Sequence, residues 1–73
     1  MDSVAQVKDL MYATGMTRLE AEAYLACTIK GTTVTEYARQ IGRDHTLISQ
    51  RVRNARIKAW ESGEDIGKLL GAD

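Results

Sequence analysis

The sequence has no proline, only one cysteine and no net charge, since ten basic side chains balance ten acidic ones. A single cysteine excludes a disulfide within the chain and a cysteine-ligated zinc site, which favours a reducing, cytoplasmic compartment. No apolar run approaches the roughly 20 residues of a membrane span, and the first residues lack the basic start and apolar stretch of a secretory signal. We therefore expect a single cytoplasmic domain over residues 1–73 that does not contact a membrane.

The sequence also has few residues that could catalyse a reaction. It contains one histidine, His45, with no second histidine to complete a metal site or an acid–base pair, and it has no glycine-rich phosphate loop. The single cysteine, Cys27, lies among alanines and other apolar residues, which fits a small core residue better than a redox sensor. We expect no enzymatic activity, no cofactor and no metal ion.

The pattern of apolar residues and helix signals predicts an all-α fold, a small bundle of four to five helices without a wing. Three hydroxyl residues each precede Gln or Glu by three positions, which is the capping-box spacing of a helix start (Ser3 and Gln6, Thr17 and Glu20, Thr33 and Glu36). Glycines suited to the left-handed conformation follow the expected helices (Gly15, Gly31 and Gly42). These signals predict helices over residues 3–14, 17–30, 33–41 and 44–60. A fifth helix over 62–70 is weak because it contains Gly63 and Gly67.

Apolar side chains at helical spacing predict which faces pack together. One face of the first helix fits the core better than a partner helix (Val4, Val7, Leu10 and Met11). The second helix is apolar on more than one side and is expected to be central. In the fourth helix, four residues are expected to face the core (Ile48, Val52, Ala55 and Ala59). Tyr24 and Trp60 are expected to anchor the core, and Tyr12 fits either the core or an interface.

The charges are distributed unevenly along this neutral chain. Residues 39–58 contain six basic side chains and one acidic side chain, Asp44, for a local charge of +5, so the rest of the chain carries −5. A stripe of one sign gives one face of the protein a positive field and directs it toward a polyanion. This distribution favours nucleic-acid binding over a merely solvated helix face.

The segment of residues 33–60 has the layout of a helix-turn-helix whose second helix, residues 44–60, enters the major groove of DNA. Ala38 allows the two helices to cross closely, Gly42 suits the turn, and Asp44 suits the cap of the second helix. Side chains on the outward face are expected to contact bases (Thr46, Ser49, Gln50 and Arg53). Flanking side chains are better placed for the two phosphate backbones (Arg43, His45, Arg51, Arg56 and Lys58).

Residues 16–60 resemble region four of bacterial sigma factors and the similar LuxR-type regulators. Three stretches carry the resemblance, namely the opening helix MTRLEAEA (16–23), the glutamate-apolar-alanine stretch TEYARQIG (35–42) and the recognition helix ISQRVRNAR (48–56). Arg43 departs from the apolar residue usual in the turn, and Asp44 stands where serine is commoner. The polymerase-binding and promoter-melting regions of sigma factors have no counterpart, so we do not expect a complete sigma factor. The resemblance implies major-groove DNA binding in transcription control.

These observations predict a small transcription regulator that binds specific double-stranded DNA, with RNA polymerase or another regulator as a further partner. We expect a homodimer formed by the first helix or by the tail of residues 61–73. The alternative is a helix-turn-helix module that binds a protein of a transcription or phage packaging complex, with little or no DNA binding. Exposed apolar residues such as Ile57 support this alternative. The small size also suits a phage or mobile-element protein.

Overall fold

The computed structural model describes residues 3–70, and within them it contains five α-helices and no β-strand. In chain order they are α1 (Ser3–Thr14), α2 (Arg18–Tyr24), α3 (Val34–Ile41), α4 (His45–Ser62) and α5 (Ile66–Leu69). The all-α prediction is confirmed, and the predicted bounds of the first four helices hold to within two residues. None of these helices combines the length and the apolar composition that crossing a membrane requires.

The second predicted helix has two parts, because α2 continues directly into a π-helical segment, Leu25–Ile29. In this segment the Lys30 amide donates to the Leu25 carbonyl at 2.9 Å, which is the i to i−5 hydrogen bond of a π-helix. The sequence pattern did not predict this change, since apolar spacing in a five-residue segment does not distinguish the two helix types. The Thr32 amide then donates to the Ala26 carbonyl at 3.0 Å and closes the segment.

Hydroxyl caps begin α2 and α3. At α2 the capping box is complete, because the Glu20 amide donates to Thr17 Oγ1 at 3.2 Å and the Thr17 amide donates to Glu20 Oε1 at 3.0 Å. At α3 the Glu36 amide donates to Thr33 Oγ1 at 3.1 Å, while the Glu36 carboxylate lies 3.6 Å from the Arg39 guanidinium. Local sequence therefore determines where both helices begin.

Glycines with positive φ follow the long helices, as predicted for Gly15, Gly31 and Gly42. Gly63 also adopts a left-handed conformation, with φ of 71°, and it ends α4. The expected fifth helix over 62–70 is therefore wrong in its first part, and α5 is a single turn. The side chain of Ser3 lies outside the described residues, so its predicted capping box stays a prediction.

The core consists of two clusters on either side of α2. One cluster joins α1, α2, α4 and the residue after α5, and its central side chain is Leu10, which is fully buried. The other cluster joins the α2 region, which is α2 together with the π-helical segment Leu25–Ile29, to α3 and α4. Its residues surround the fully buried Ile48 (Ala23, Ala38, Ile48 and Val52). Because α2 contributes to both clusters, the prediction of a central second helix is confirmed.

The aromatic residues divide into buried and exposed ones. Tyr24 is buried in the core as expected, but Trp60 is not a core residue, because its exposed fraction is 85%. Trp60 directly follows Ala59, which faces the core, and a helical step of about 100° turns the next side chain away from it. Tyr12 is 87% exposed and Val4 is also exposed, so α1 packs on the core through fewer residues than expected.

Candidate nucleic-acid interface

A tight turn fixes the position of α4 against α3. Gly42 takes φ of 69°, and the Arg43 amide donates to the Ala38 carbonyl at 2.9 Å, which is the hydrogen bond of a Schellman motif. Asp44 begins α4, because its Oδ1 accepts a hydrogen bond from the Thr46 amide at 3.1 Å. Ala38 is buried, and its small side chain lets α3 and α4 pack closely beside the turn.

The two faces of α4 differ in chemistry. The inward face is apolar, and its four predicted core residues are all buried (Ile48, Val52, Ala55 and Ala59). The predicted base-contacting residues all lie on the exposed side of the helix (Thr46, Ser49, Gln50 and Arg53). The structure therefore brings four hydrogen-bonding side chains onto one open face within two turns of helix, accessible to a macromolecular ligand.

The residues expected to contact phosphates differ in how exposed their side chains are. Arg43 and His45 are exposed at the start of α4, where His45 Nδ1 lies 3.5 Å from Asp44 Oδ1. Arg51 is half-buried, and its positive charge lies close enough to Tyr37 of α3 to affect the pKa of that hydroxyl. Burial raises the pKa of the Tyr37 hydroxyl, and the Arg51 charge opposes that rise. His45 and Arg51 lie on opposite flanks of the exposed face, because six helical steps of about 100° separate them.

The last two cations of the stripe hold α4 against the α2 region. Lys58 Nζ donates to Glu20 Oε1 at 2.6 Å, and the Glu20 side chain is only 12% exposed. Arg56 Nε donates to Thr28 Oγ1 at 3.4 Å on the other flank of the helix. The structure therefore places Lys58 beside α2 and away from the face that carries Arg53. Lys58 follows Arg53 by five residues, and five helical steps of about 100° leave the two side chains about 140° apart around the helix.

The environment of Glu20 changes its acidity. Burial raises the pKa of this carboxyl, but the hydrogen bond from Lys58, the Thr17 amide and the Lys58 charge outweigh burial, so the pKa lies below its ordinary value of 4.5. The native state therefore binds fewer protons at this site than the unfolded state. The resulting stabilisation is present above about pH 4.5 and is lost as the pH falls through the lowered pKa.

Replacing Glu20 with glutamine should lower the free energy of unfolding by about 1 kcal/mol near neutral pH and by less at an acidic pH below 4.5. Urea unfolding of both proteins at the two pH values measures this difference. Glu64→Gln serves as a matched control, because Glu64 is exposed and forms no ion pair among the described residues. A loss from Glu20→Gln that is the same at both pH values would contradict the assigned ion pair.

A cleft of about 730 Å³ lies between α4 and the loop before α3. Two arginines, Arg53 and Arg56, line it together with three hydroxyl residues (Thr32, Thr33 and Ser49). Guanidinium and hydroxyl groups are donors that phosphate oxygens accept. Thr32 and Thr33 were not predicted as part of this surface, because only the packing of the loop on α4 brings them to it.

Cys27 also lines this cleft and is half-buried with a free thiol. Burial raises the pKa of the thiol, and the positive charge of Arg56 opposes that rise. Because the pKa is raised overall, the thiol stays protonated at neutral pH, which makes it a poor nucleophile. The structure therefore agrees with a packing role for Cys27. The described residues bring together no group of three side chains that could hold a metal ion.

A second concave surface, the α1 groove, has a volume of about 630 Å³ and lies between α1, α2 and α3. Its apolar lining includes aromatic and aliphatic side chains (Val4, Met11, Tyr12, Tyr37 and Ile41). Lys8, Arg18 and Lys30 also line it, and Arg18 pairs with Glu22 at 3.4 Å. Concave apolar surfaces with a few polar groups commonly bind ligands or partner chains.

Comparison with known proteins identifies no relative, because no family model, no curated protein and no solved structure matches the chain.

Proposed function

We propose that this protein binds double-stranded DNA as a small transcription regulator, with α3 and α4 acting as a helix-turn-helix without a wing. One observation carries the proposal, namely that α4 packs by its apolar face and leaves its polar face open. The surrounding stripe of residues 39–58 supplies the positive charge that attracts the phosphate backbone. In this arrangement the start of α4 enters the major groove.

The exposed face divides into groups with different roles. Gln50 pairs with adenine and Arg53 with guanine, while Thr46 and Ser49 bond to base edges or phosphate oxygens. Arg43, His45, Arg51 and Arg56 contact the phosphate backbones on either side. Lys58 holds α4 in place through its 2.6 Å hydrogen bond to Glu20 and contributes little direct contact.

The proposed setting is the cytoplasm, with RNA polymerase or another regulator as a further partner. A homodimer that is formed through α1 or the tail and that reads a two-fold DNA site stays a prediction. The exposed Val4 and Tyr12 of α1 are compatible with such a contact. Sedimentation of the protein bound to a two-fold duplex tests it.

Binding to random-sequence duplex DNA should fall steeply as salt is added. With about four phosphate contacts, the log–log slope of the binding constant against salt is expected near −4. Fluorescence anisotropy across a salt series measures the slope, and the Arg51→Ala, Arg53→Ala double variant is expected to lose most of the binding. No binding at low salt would contradict the proposal.

The α1 groove favours a second candidate function, a module that binds another protein. Its apolar lining and its exposed Tyr12 fit an amphipathic helix of a partner. An apolar interface of this kind depends only weakly on salt, whereas phosphate contacts depend on it strongly. The salt series therefore distinguishes the two functions.

A further inference from the structure

The C-terminal half of the exposed face of α4 carries an apolar patch that the proposed DNA contacts do not use. Ile57 is 46% exposed and Trp60 is 85% exposed, and both follow Arg53 on the outward side of the helix. Trp60 lies about 10 Å along the helix axis from Arg53, given a rise of about 1.5 Å per residue. Tryptophan contributes large binding energies when it becomes buried between proteins, so this patch suits an interface.

The charges around the patch are arranged symmetrically. Arg53 and Glu61 stand four residues before and four residues after Ile57, so the three side chains form one ridge along α4. About 12 Å of helix separates Arg53 from Glu61, which is too far for them to pair with each other. Among the described residues, neither of the two forms an ion pair.

The neighbours of Ile57 in sequence do not interfere with this ridge. Arg56 is directed to Thr28 and Lys58 to Glu20, so both cations are held on the flanks of α4. The outward ridge therefore presents a cation, an apolar centre and an anion in that order. Such a ridge is complementary to a second copy of itself that runs in the opposite direction.

We propose that two copies of this chain associate through antiparallel packing of α4 on α4, with a two-fold axis at Ile57. In this contact Ile57 packs against Ile57 of the second copy, and Arg53 pairs with Glu61 of the second copy. The symmetry forms this ion pair twice. Trp60 packs beside Asn54 of the second copy, where its ring loses contact with water.

This association covers part of the face that would read DNA, because Arg53 lies within the contact. Self-association and DNA binding therefore exclude each other, and this one consequence rests on the proposed function. The contact differs from a DNA-bound homodimer formed through α1 or the tail. A single helix face buries less than the roughly 800 Å² per partner of a standard interface, so we expect a dissociation constant on the order of 100 μM.

Sedimentation velocity and tryptophan fluorescence test the association without DNA. Trp60 is the only tryptophan of the chain, so its emission reports directly on the patch. From roughly 5 μM to 1 mM protein, a range that spans the expected dissociation constant, we expect a reversible change from monomer to dimer with a blue shift of the emission. A monomer at every concentration, or a dimer whose Trp60 emission does not shift, overturns the proposal.

Charge exchange identifies the contact. Arg53→Glu and Glu61→Arg should each weaken dimerisation by about tenfold or more, and the double variant should restore it to within about threefold. Trp60→Ala should also abolish the dimer, whereas Tyr12→Ala, which removes an equally exposed aromatic side chain on α1, should not. A dimer that is lost with Tyr12→Ala and retained with Trp60→Ala would overturn the proposal.

Competition with DNA completes the test. Added duplex DNA that is short enough to hold a single copy should convert the α4 dimer to DNA-bound monomer. Glu61→Arg, whose dimer is weakened, should show little such competition. A dimer that binds duplex DNA without dissociating would contradict the proposed occlusion. If the protein binds no DNA at all, the proposed function fails, while sedimentation without DNA still decides whether the α4 contact exists.

Discussion

Replacing Arg53 with alanine is expected to weaken binding to a preferred duplex by about 10- to 100-fold and to reduce the preference for that duplex over others. The guanidinium lies on the open face of α4, where it can donate two hydrogen bonds to a guanine. Lys58→Met should change the affinity by less than about threefold, although a lysine usually contributes to DNA binding through its charge. Lys58 is directed to Glu20, with a distance of 2.6 Å from Nζ to Oε1.

The measurement is anisotropy with a duplex obtained by selection from random sequences and with a scrambled duplex, at the same salt concentration. Arg51→Ala provides a third comparison, because a phosphate contact should weaken both duplexes alike. Equal losses from Arg53→Ala and Lys58→Met would show that the charge of α4, rather than its exposed face, controls binding. Circular dichroism of each variant confirms that the helices are retained.

Replacing Ile48 with alanine is expected to lower the free energy of unfolding by about 3 kcal/mol. Ile48 is a residue of α4 that is fully buried against α3. Its truncation therefore leaves a cavity and removes apolar contacts in one of the two core clusters. A domain of this length has a stability of only about 4–11 kcal/mol, so the loss is a large fraction of the total. We also expect DNA binding to weaken, because this cluster holds α4 against α3.

Ile57→Ala is the matched control, since it is the same substitution in the same helix at an exposed position. It should change the free energy of unfolding by less than about 1 kcal/mol. Urea unfolding at about 5 μM protein keeps the chain below the expected dissociation constant of the α4 dimer. Similar losses from the two substitutions would contradict the assignment of the inward and outward faces of α4.

Local signals allowed much of the fold to be predicted. The capping box at Thr17, the cap at Thr33 and the glycines after the helices act within a few residues, so their effects can be derived from neighbouring positions. The inward residues of α4, from Ile48 to Ala59, follow the helical period in the same way. The π-helical segment Leu25–Ile29 was missed, because apolar spacing over five residues does not distinguish a π-helix from an α-helix.

Two side chains of α4 have surroundings that differ from those expected. Trp60 was assigned to the core because large aromatic residues are often buried, but Ala59 occupies the inward position at that turn. For Lys58 the phosphate contact stays a prediction, but the structure pairs this side chain with Glu20, which lies 38 positions earlier in the sequence. The exposure of Trp60 follows from helical spacing after Ala59, whereas the pairing of Lys58 with Glu20 could not be derived from spacing along α4.

The sequence by itself determined the bounds of the first four helices to within two residues, and the polar and apolar faces of α4, because these depend on interactions over three or four residues. Only the tertiary structure decided which cations remain on the open face and which ones hold α4 in place. It also brought Thr32 and Thr33 beside Arg53. The physical reason is that these contacts join separate helices, and packing of the two core clusters sets their geometry.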